Sequence, residues 1–289
     1  MMDRRNFLKK AFQIGGLVGL YSLGAGAVKE AMAVGILPAV VGSGGAAAIT
    51  WANWDELSQD SIASAETFCC FMDDPTIGND DFGVGGGLTG ANLQLTEVGN
   101  VAGATGTPPS RYKNATTQYF TLLSAVPDLI TGGGNWSVIV KSKLIAGKTN
   151  STPWSFVGAA DHTYAMFNAE GPGRVQFRCQ KDGVNPMDVL STDAMTIDST
   201  VNYTAMWYDG TYIRGGFIDS GSPTPNTKPT KWSDFNANDR GSVTATINWT
   251  AGDFGTSRAV GGYSGTLYLI EANMYYIIVS KTCLIDNAA

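Results

Sequence analysis

The residues able to do chemistry in this chain are few and scattered. His162 is the single histidine. A nucleophilic triad or a multi-histidine metal site would have to be built around it, and no Gly-x-Ser-x-Gly turn accompanies it. Its setting, "AADHTYAMFNAE", reads as a turn between strands. Glycoside cleavage needs two carboxylates, one to protonate the leaving oxygen and one to attack or activate water. Beyond residue 33 the glutamates are Glu56, Glu66, Glu97, Glu170 and Glu271, and none has an aspartate two positions later. Asp73, Asp74, Asp80 and Asp81 are near enough in sequence to suggest calcium, without the spacing of an EF-hand. Cys69, Cys70, Cys179 and Cys283 lack C-x-x-C spacing, which argues against a zinc or iron–sulfur centre. The run "GGGLTG" fits a dinucleotide loop by letter, but the strand-like "ANLQLTEV" follows it where a helix would have to open. No catalytic residue, metal site or cofactor is therefore assigned.

Two tryptophans offer a different chemistry. Trp154 and Trp232 follow loops rich in Pro and Thr, "TNSTPW" and "NTKPTKW". A loop tryptophan presents a flat apolar face on which a sugar ring stacks, and Lys231 and Asp234 beside Trp232 would bond its hydroxyls. Pro223, Pro225 and Pro229 stiffen the 220–235 loop, which lowers the entropy lost on binding. The alternative is that both rings pin long loops to the body of the protein.

The elements that must position these residues follow from a period of two. "RVQFRCQ" puts Val175, Phe177 and Cys179 on one face and Arg174, Gln176, Arg178 and Gln180 on the other. "VNYTAMWY" groups Val201, Tyr203, Ala205 and Trp207, and "VTATINWT" groups Val243, Ala245, Ile247 and Trp249. Such alternation marks antiparallel strands with one wet face. Similar runs occur at 66–72, 91–98, 119–123, 136–144, 155–159, 163–169, 212–219 and 266–279, separated by clusters such as "TGGGN" and "YDGTY". About a dozen strands without intervening helices imply an all-β antiparallel sandwich of the jelly-roll kind. One short helix is expected over 55–66, capped by Asp55. If the first and last strands lie together, a disulfide from Cys69 or Cys70 to Cys283 fits. The alternative is four packed thiols.

The N-terminus carries an address. Arg4 and Arg5 precede Phe7, Leu8, Lys9 and Lys10, then a glycine-broken apolar run and an Ala31-Met32-Ala33 end. This resembles the bacterial twin-arginine signal, with Asp3 where Ser or Thr is usual. The resemblance implies export of folded cargo, cleavage after Ala33, and a periplasmic or extracellular protein without a stable membrane span. The alternative is an uncleaved membrane anchor, for which the apolar run is short. The chain then divides into a signal at 1–33, a Gly/Ala-rich leader with the short helix at 34–65, and a β domain at 66–289. The net charge of the whole is −6. The signal holds five basic residues against two acidic ones, so the remainder is more acidic still, with no footprint for nucleic acid or an anionic membrane.

The order of the pieces resembles a concanavalin A-like, laminin-G-like jelly roll. The resemblance rests on "NWSVIVKSKL", on the hairpin "VNYTAMWYDGTYIRGGFID", and on the closing "RAVGGYSGTLYLIEANMYYIIVSKTCL", and it covers about residues 66–284. Several members of this superfamily cleave glycans using Glu-x-Asp-x-Glu or a close variant, which is absent here, and many bind calcium. The resemblance therefore implies a non-catalytic carbohydrate- or surface-binding module. Two alternatives are a structural subunit of an extracellular assembly, self-associating through residues 34–54, and a divergent glycan-cleaving enzyme.

Overall fold

The computed structural model describes residues 59–286, apart from 115, 147–150, 168–172, 197–200, 224–226 and 264–267. Arg4, Arg5, the signal, most of the leader and Asp55 lie outside the described residues. Of the helix expected over 55–66, the described residues hold one turn, α1 (Gln59–Ile62). The strands are β1 (Thr67–Phe71), β2 (Asp81–Phe82), β3 (Val84–Gly85), β4 (Gln94–Val98), β5 (Arg111–Lys113), β6 (Tyr119–Leu122), β7 (Trp136–Ala146) and β8 (Trp154–Val157). They continue as β9 (His162–Phe167), β10 (Arg174–Lys181), β11 (Val184–Ala194), β12 (Asn202–Tyr208), β13 (Tyr212–Ile218), β14 (Arg240–Thr244), β15 (Ser257–Val260) and β16 (Glu271–Ser280).

These strands form an all-β antiparallel sandwich. One sheet runs β14-β13-β12-β7-β16-β1-β3, with β5 also on β16, and the other runs β11-β10-β9-β8-β15-β6-β4-β2. The first and last strands do lie together, Thr67 opposite Ser280 and Cys69 opposite Ile278. The strands of "RVQFRCQ" and its neighbours explain the inner core. Val175, Phe177 and Cys179 point between the sheets, where they meet Val138, Val140, Met206, Phe217 and Ile277.

Three sequence expectations need correction. In β12 the set Tyr203, Ala205 and Trp207 faces away from the sandwich interior, into a second apolar cluster, while Met206 and Tyr208 face inward. Both faces of this strand are dry, so alternation alone could not tell inside from outside. In "VTATINWT" Ile247 and Trp249 are buried in the inner core as expected, but the strand ends at Thr244. The disulfide is also corrected: all four cysteines are free thiols. Cys70 and Cys179 lie in the inner core, Cys69 lies on the opposite face, and the Cys283 Sγ donates to the Ile285 carbonyl at 3.0 Å.

The second cluster covers the outer face of the β12-β7-β16-β1 sheet. Ile139, Tyr203, Ala205, Trp207, Ile218, Tyr276 and Ile278 rise from the strands, and Ile62, Ala63, Phe235 and Ile285 close over them. Glycines set how close the two layers come. On β13, a Cβ at Gly215 would fall 2.5 Å from the Phe177 ring on the inner side, and one at Gly216 2.6 Å from the Phe235 ring on the outer side. Two adjacent glycines thus let an aromatic ring rest on the same strand from each face.

Candidate functional site: an open aromatic face

The residues expected to bind a sugar are spent on packing. Trp154 is fully buried in β8, its ring centroid 5.5 Å from that of Phe156. Trp232 sits edge-on to Trp207 at 5.5 Å, with the Arg240 guanidinium 4.4 Å and the Arg214 guanidinium 5.1 Å from its ring centroid. Its backbone is stitched to the C-terminal segment: the Trp232 N–H donates to the Asp286 carbonyl and the Asp286 N–H to the Thr230 carbonyl, both at 2.7 Å. The Asp234 carboxylate accepts from the Thr230 and Lys231 N–H groups at 2.8 and 3.0 Å. Lys231 alone of the four stays exposed. The 227–235 segment is therefore part of the cover over the second cluster, with Phe235 in it and Trp232 partly buried against it. The platform reading of Trp154, Trp232 and Asp234 is corrected.

Of the aspartates suggested for calcium, Asp74, Asp80 and Asp81 are engaged in other bonds, and Asp73 is exposed. Asp81 is buried and pairs with the buried Arg111 at 2.8 Å. Asp74 and Asp80 accept backbone N–H groups of Thr76 and Glu97. Among the described residues no group of histidines, cysteines and carboxylates is arranged to hold a metal ion.

A different set converges on the outer face of the other sheet. Strand alternation in β9 directs His162, Tyr164 and Met166 outward, because Ala165 and Phe167 face the inner core. The register then sets Arg178 of β10 beside Tyr164, Gln180 beside His162 and Gln176 beside Met166. It sets Asp188 of β11 beside Arg178. Rings form a row across this face. His162 stacks on Tyr164 at 5.3 Å, Tyr164 meets Tyr263 edge-on at 5.3 Å, and Tyr263 lies 5.6 Å from Tyr268. Such offset and edge-on contacts hold one another in place. The row grades from buried to open: Tyr164 is 3% exposed and Tyr268 42%. The Thr152 N–H donates to the Tyr268 carbonyl at 2.8 Å, which holds a backbone turn with φ of +51°.

A polar network borders the row. The Arg178 Nε donates to the Asn185 Oδ1 at 3.1 Å, and its Nη1 lies 3.5 Å from the Tyr164 hydroxyl. The same Nε is 3.6 Å from the Asp188 Oδ2, while the Gln176 amide donates to the Asp188 Oδ1 at 2.5 Å. Burial, with Arg178 adding to it, lowers the His162 pKa to about 4, so the ring is neutral at physiological pH. Burial likewise pushes the Tyr164 hydroxyl up to about 12. The face thus offers neutral rings beside a fixed pair of donor and acceptor groups.

This face was half legible. The alternation and the structure agree on the wet positions Arg174, Gln176, Arg178 and Gln180, while His162 starts a strand instead of lying in a turn. The available signal is aromatic: "HTYAMF" places two rings at the wet positions of one strand, and the structure buries Tyr164 there beneath Tyr263.

No protein-family model matches the chain, and no curated protein matches it. Among solved structures it is similar to a protein of unknown function from Shewanella oneidensis, at 14% identity and a TM-score of 0.40, over 74% of this chain and 86% of that one. It is also similar to domain 4 of a GH43 extracellular arabinanase from Geobacillus stearothermophilus, at 13% identity and a TM-score of 0.42, over 63% and 76%. A third match is the CBM40 of a Ruminococcus gnavus sialidase, at 12% identity and a TM-score of 0.34, over 53% and 78%. Likeness at this level carries no argument about function, which has to be read from the face itself.

Proposed function

We propose that the chain is an exported, non-catalytic carbohydrate-binding module that holds its ligand on the open face of β9, β10 and β11. The observation that carries this reading is the row His162–Tyr164–Tyr263–Tyr268 bordered by Gln176, Arg178 and Asp188. A pyranose ring has an apolar face that stacks on tyrosine and an equatorial belt of hydroxyls that needs paired donors and acceptors. The stacking surface comes from Tyr263 and Tyr268 on the segment between β15 and β16, seated on the buried Tyr164, and the polar groups come from β10 and β11 beside it. A sheet that holds them in place loses little entropy on binding. Asp188 is held by Gln176 and Arg178 as an acceptor, a role that suits hydroxyl recognition better than proton donation. The export half of the proposal rests on Arg4 and Arg5, and the concanavalin A-like half on the sequence resemblance.

The test is retention on immobilised polysaccharide. Tyr268→Asn keeps a residue that tolerates positive φ while removing the ring. It should weaken binding about tenfold, the scale of one lost stacking contact of about 1.5 kcal/mol, with the melting temperature nearly unchanged. Retention equal to wild type would remove the face from consideration. Export is checked separately: Arg4→Lys with Arg5→Lys should leave the protein in the cytoplasm, and undiminished export would end the twin-arginine reading.

A further inference from the structure

We propose that the open face selects neutral saccharides, and that Asp188 is the residue that turns acidic ones away. This rests on the binding reading above and adds to it the class of ligand. Arg178 is the cation placed at the centre of the row, and it is already matched. Its Nε faces Asn185 at 3.1 Å and the Asp188 carboxylate at 3.6 Å, and its Nη1 faces the Tyr164 hydroxyl at 3.5 Å. Gln176 fixes the other Asp188 oxygen from the neighbouring strand, so the carboxylate cannot swing clear of Arg178 without breaking that bond.

A carboxylate or sulfate on a ligand would approach Arg178 in order to be neutralised. It would then stand within a few ångströms of Asp188, and like charges at that range repel. Discrimination of this kind comes from a built-in repulsive group as much as from an attractive one. A neutral diol meets no such penalty. It accepts from the guanidinium and donates to Asp188, whose side chain is 39% exposed and so still reachable. The neighbouring rings add no countercharge, since Tyr164, Tyr263 and the neutral His162 are all uncharged at physiological pH.

The experiment measures binding of the full chain, wild type and variants, to matched pairs of probes at low salt. The pairs are methyl-esterified and free-acid oligogalacturonides, and lactose and sialyllactose. The expected result is that wild type binds the neutral member of at least one pair at least tenfold more tightly than the acidic one. Asp188→Asn should narrow that gap at least fivefold, and the acidic binding gained should fall as salt is raised. Asn185→Asp, which adds a second carboxylate at an exposed position beside Arg178, should widen the gap. Wild type binding the acidic member as tightly as the neutral one overturns the proposal, as does a gap that neither variant moves. If no saccharide of either kind binds any of the three proteins, the binding reading of the face falls and this proposal falls with it.

Discussion

The two outer faces of this sandwich have opposite fates. Over the β12-β7-β16-β1 sheet, α1, the loop ending at Phe235 and the segment after β16 close onto Tyr203, Trp207, Tyr276 and Ile278. Over β9, β10 and β11 the described residues leave tyrosines, glutamines and an Arg–Asp pair at the surface. Both faces are rich in aromatic rings, so aromatic content alone does not say which face binds. The covered face even buries lysines. Lys141 is 1% exposed and lies 5.0 Å from the Tyr275 ring centroid, and Lys228 is 1% exposed. Among the described residues, what separates the faces is how much of each is covered. Three segments close over one, while on the other Tyr263 and Tyr268 reach Tyr164 and leave Arg178 and Asp188 at the surface.

The largest expected effect is on the covered face. Trp207→Ala removes the ring on which Phe235 stacks at 5.4 Å and Trp232 rests edge-on, and should cost about 3–5 kcal/mol in urea unfolding. A loss no greater than that of Tyr268→Asn, expected within about 0.5 kcal/mol, would abolish the distinction between the faces. Next in size is Gly216→Ala, whose added methyl meets the Phe235 ring and should cost about 1–3 kcal/mol. If it proves neutral, the cover is looser than the geometry requires.

The ionisable groups sharpen the contrast. Burial lowers the Lys228 pKa from 10.5 to about 5. Between those values the folded state binds fewer protons than the unfolded one, so stability should climb with pH through that interval and be lost as pH falls through 5. Lys228→Met should flatten that climb in melting curves recorded from pH 5 to 10, and an unchanged slope would show that the lysine is hydrated. On the open face the same logic gives a smaller effect over a narrower window. His162 drops from 6.5 to about 4, so its contribution is present above 6.5 and lost as pH falls through 4. Imidazole resonances that titrate near 6.5 would contradict its packing against Tyr164.

The sequence made the sandwich legible because strands declare themselves locally. Val175, Phe177 and Cys179 alternate with charged and amide residues, and one period decides their direction. Trp232 illustrates what local reading misses. Its proline-rich surroundings describe a stiff loop correctly, yet its burial depends on Arg240, on Trp207 and on Asp286, fifty-four residues further along. The edge strand β11 lacks a local signal for a related reason. Pro186 and a run of exposed residues hide it, although an edge is where proline is tolerated. Loop composition points to residues such as Trp232, while Tyr164 and Arg178 meet only through the pairing of β9 with β10.

The position of β16 has a consequence for biosynthesis. It is the last strand described and also a middle one, paired with β7 on one side and with β1 on the other. While a ribosome is still making residues before Glu271, the halves of that sheet have no common neighbour, and each exposes an unpaired edge able to recruit another chain. Contacts as remote as Thr67 with Ser280 also slow the search for the native topology. Commitment to the fold must therefore wait until synthesis has passed residue 280, and a chain stalled before that point would be at greatest risk of aggregation.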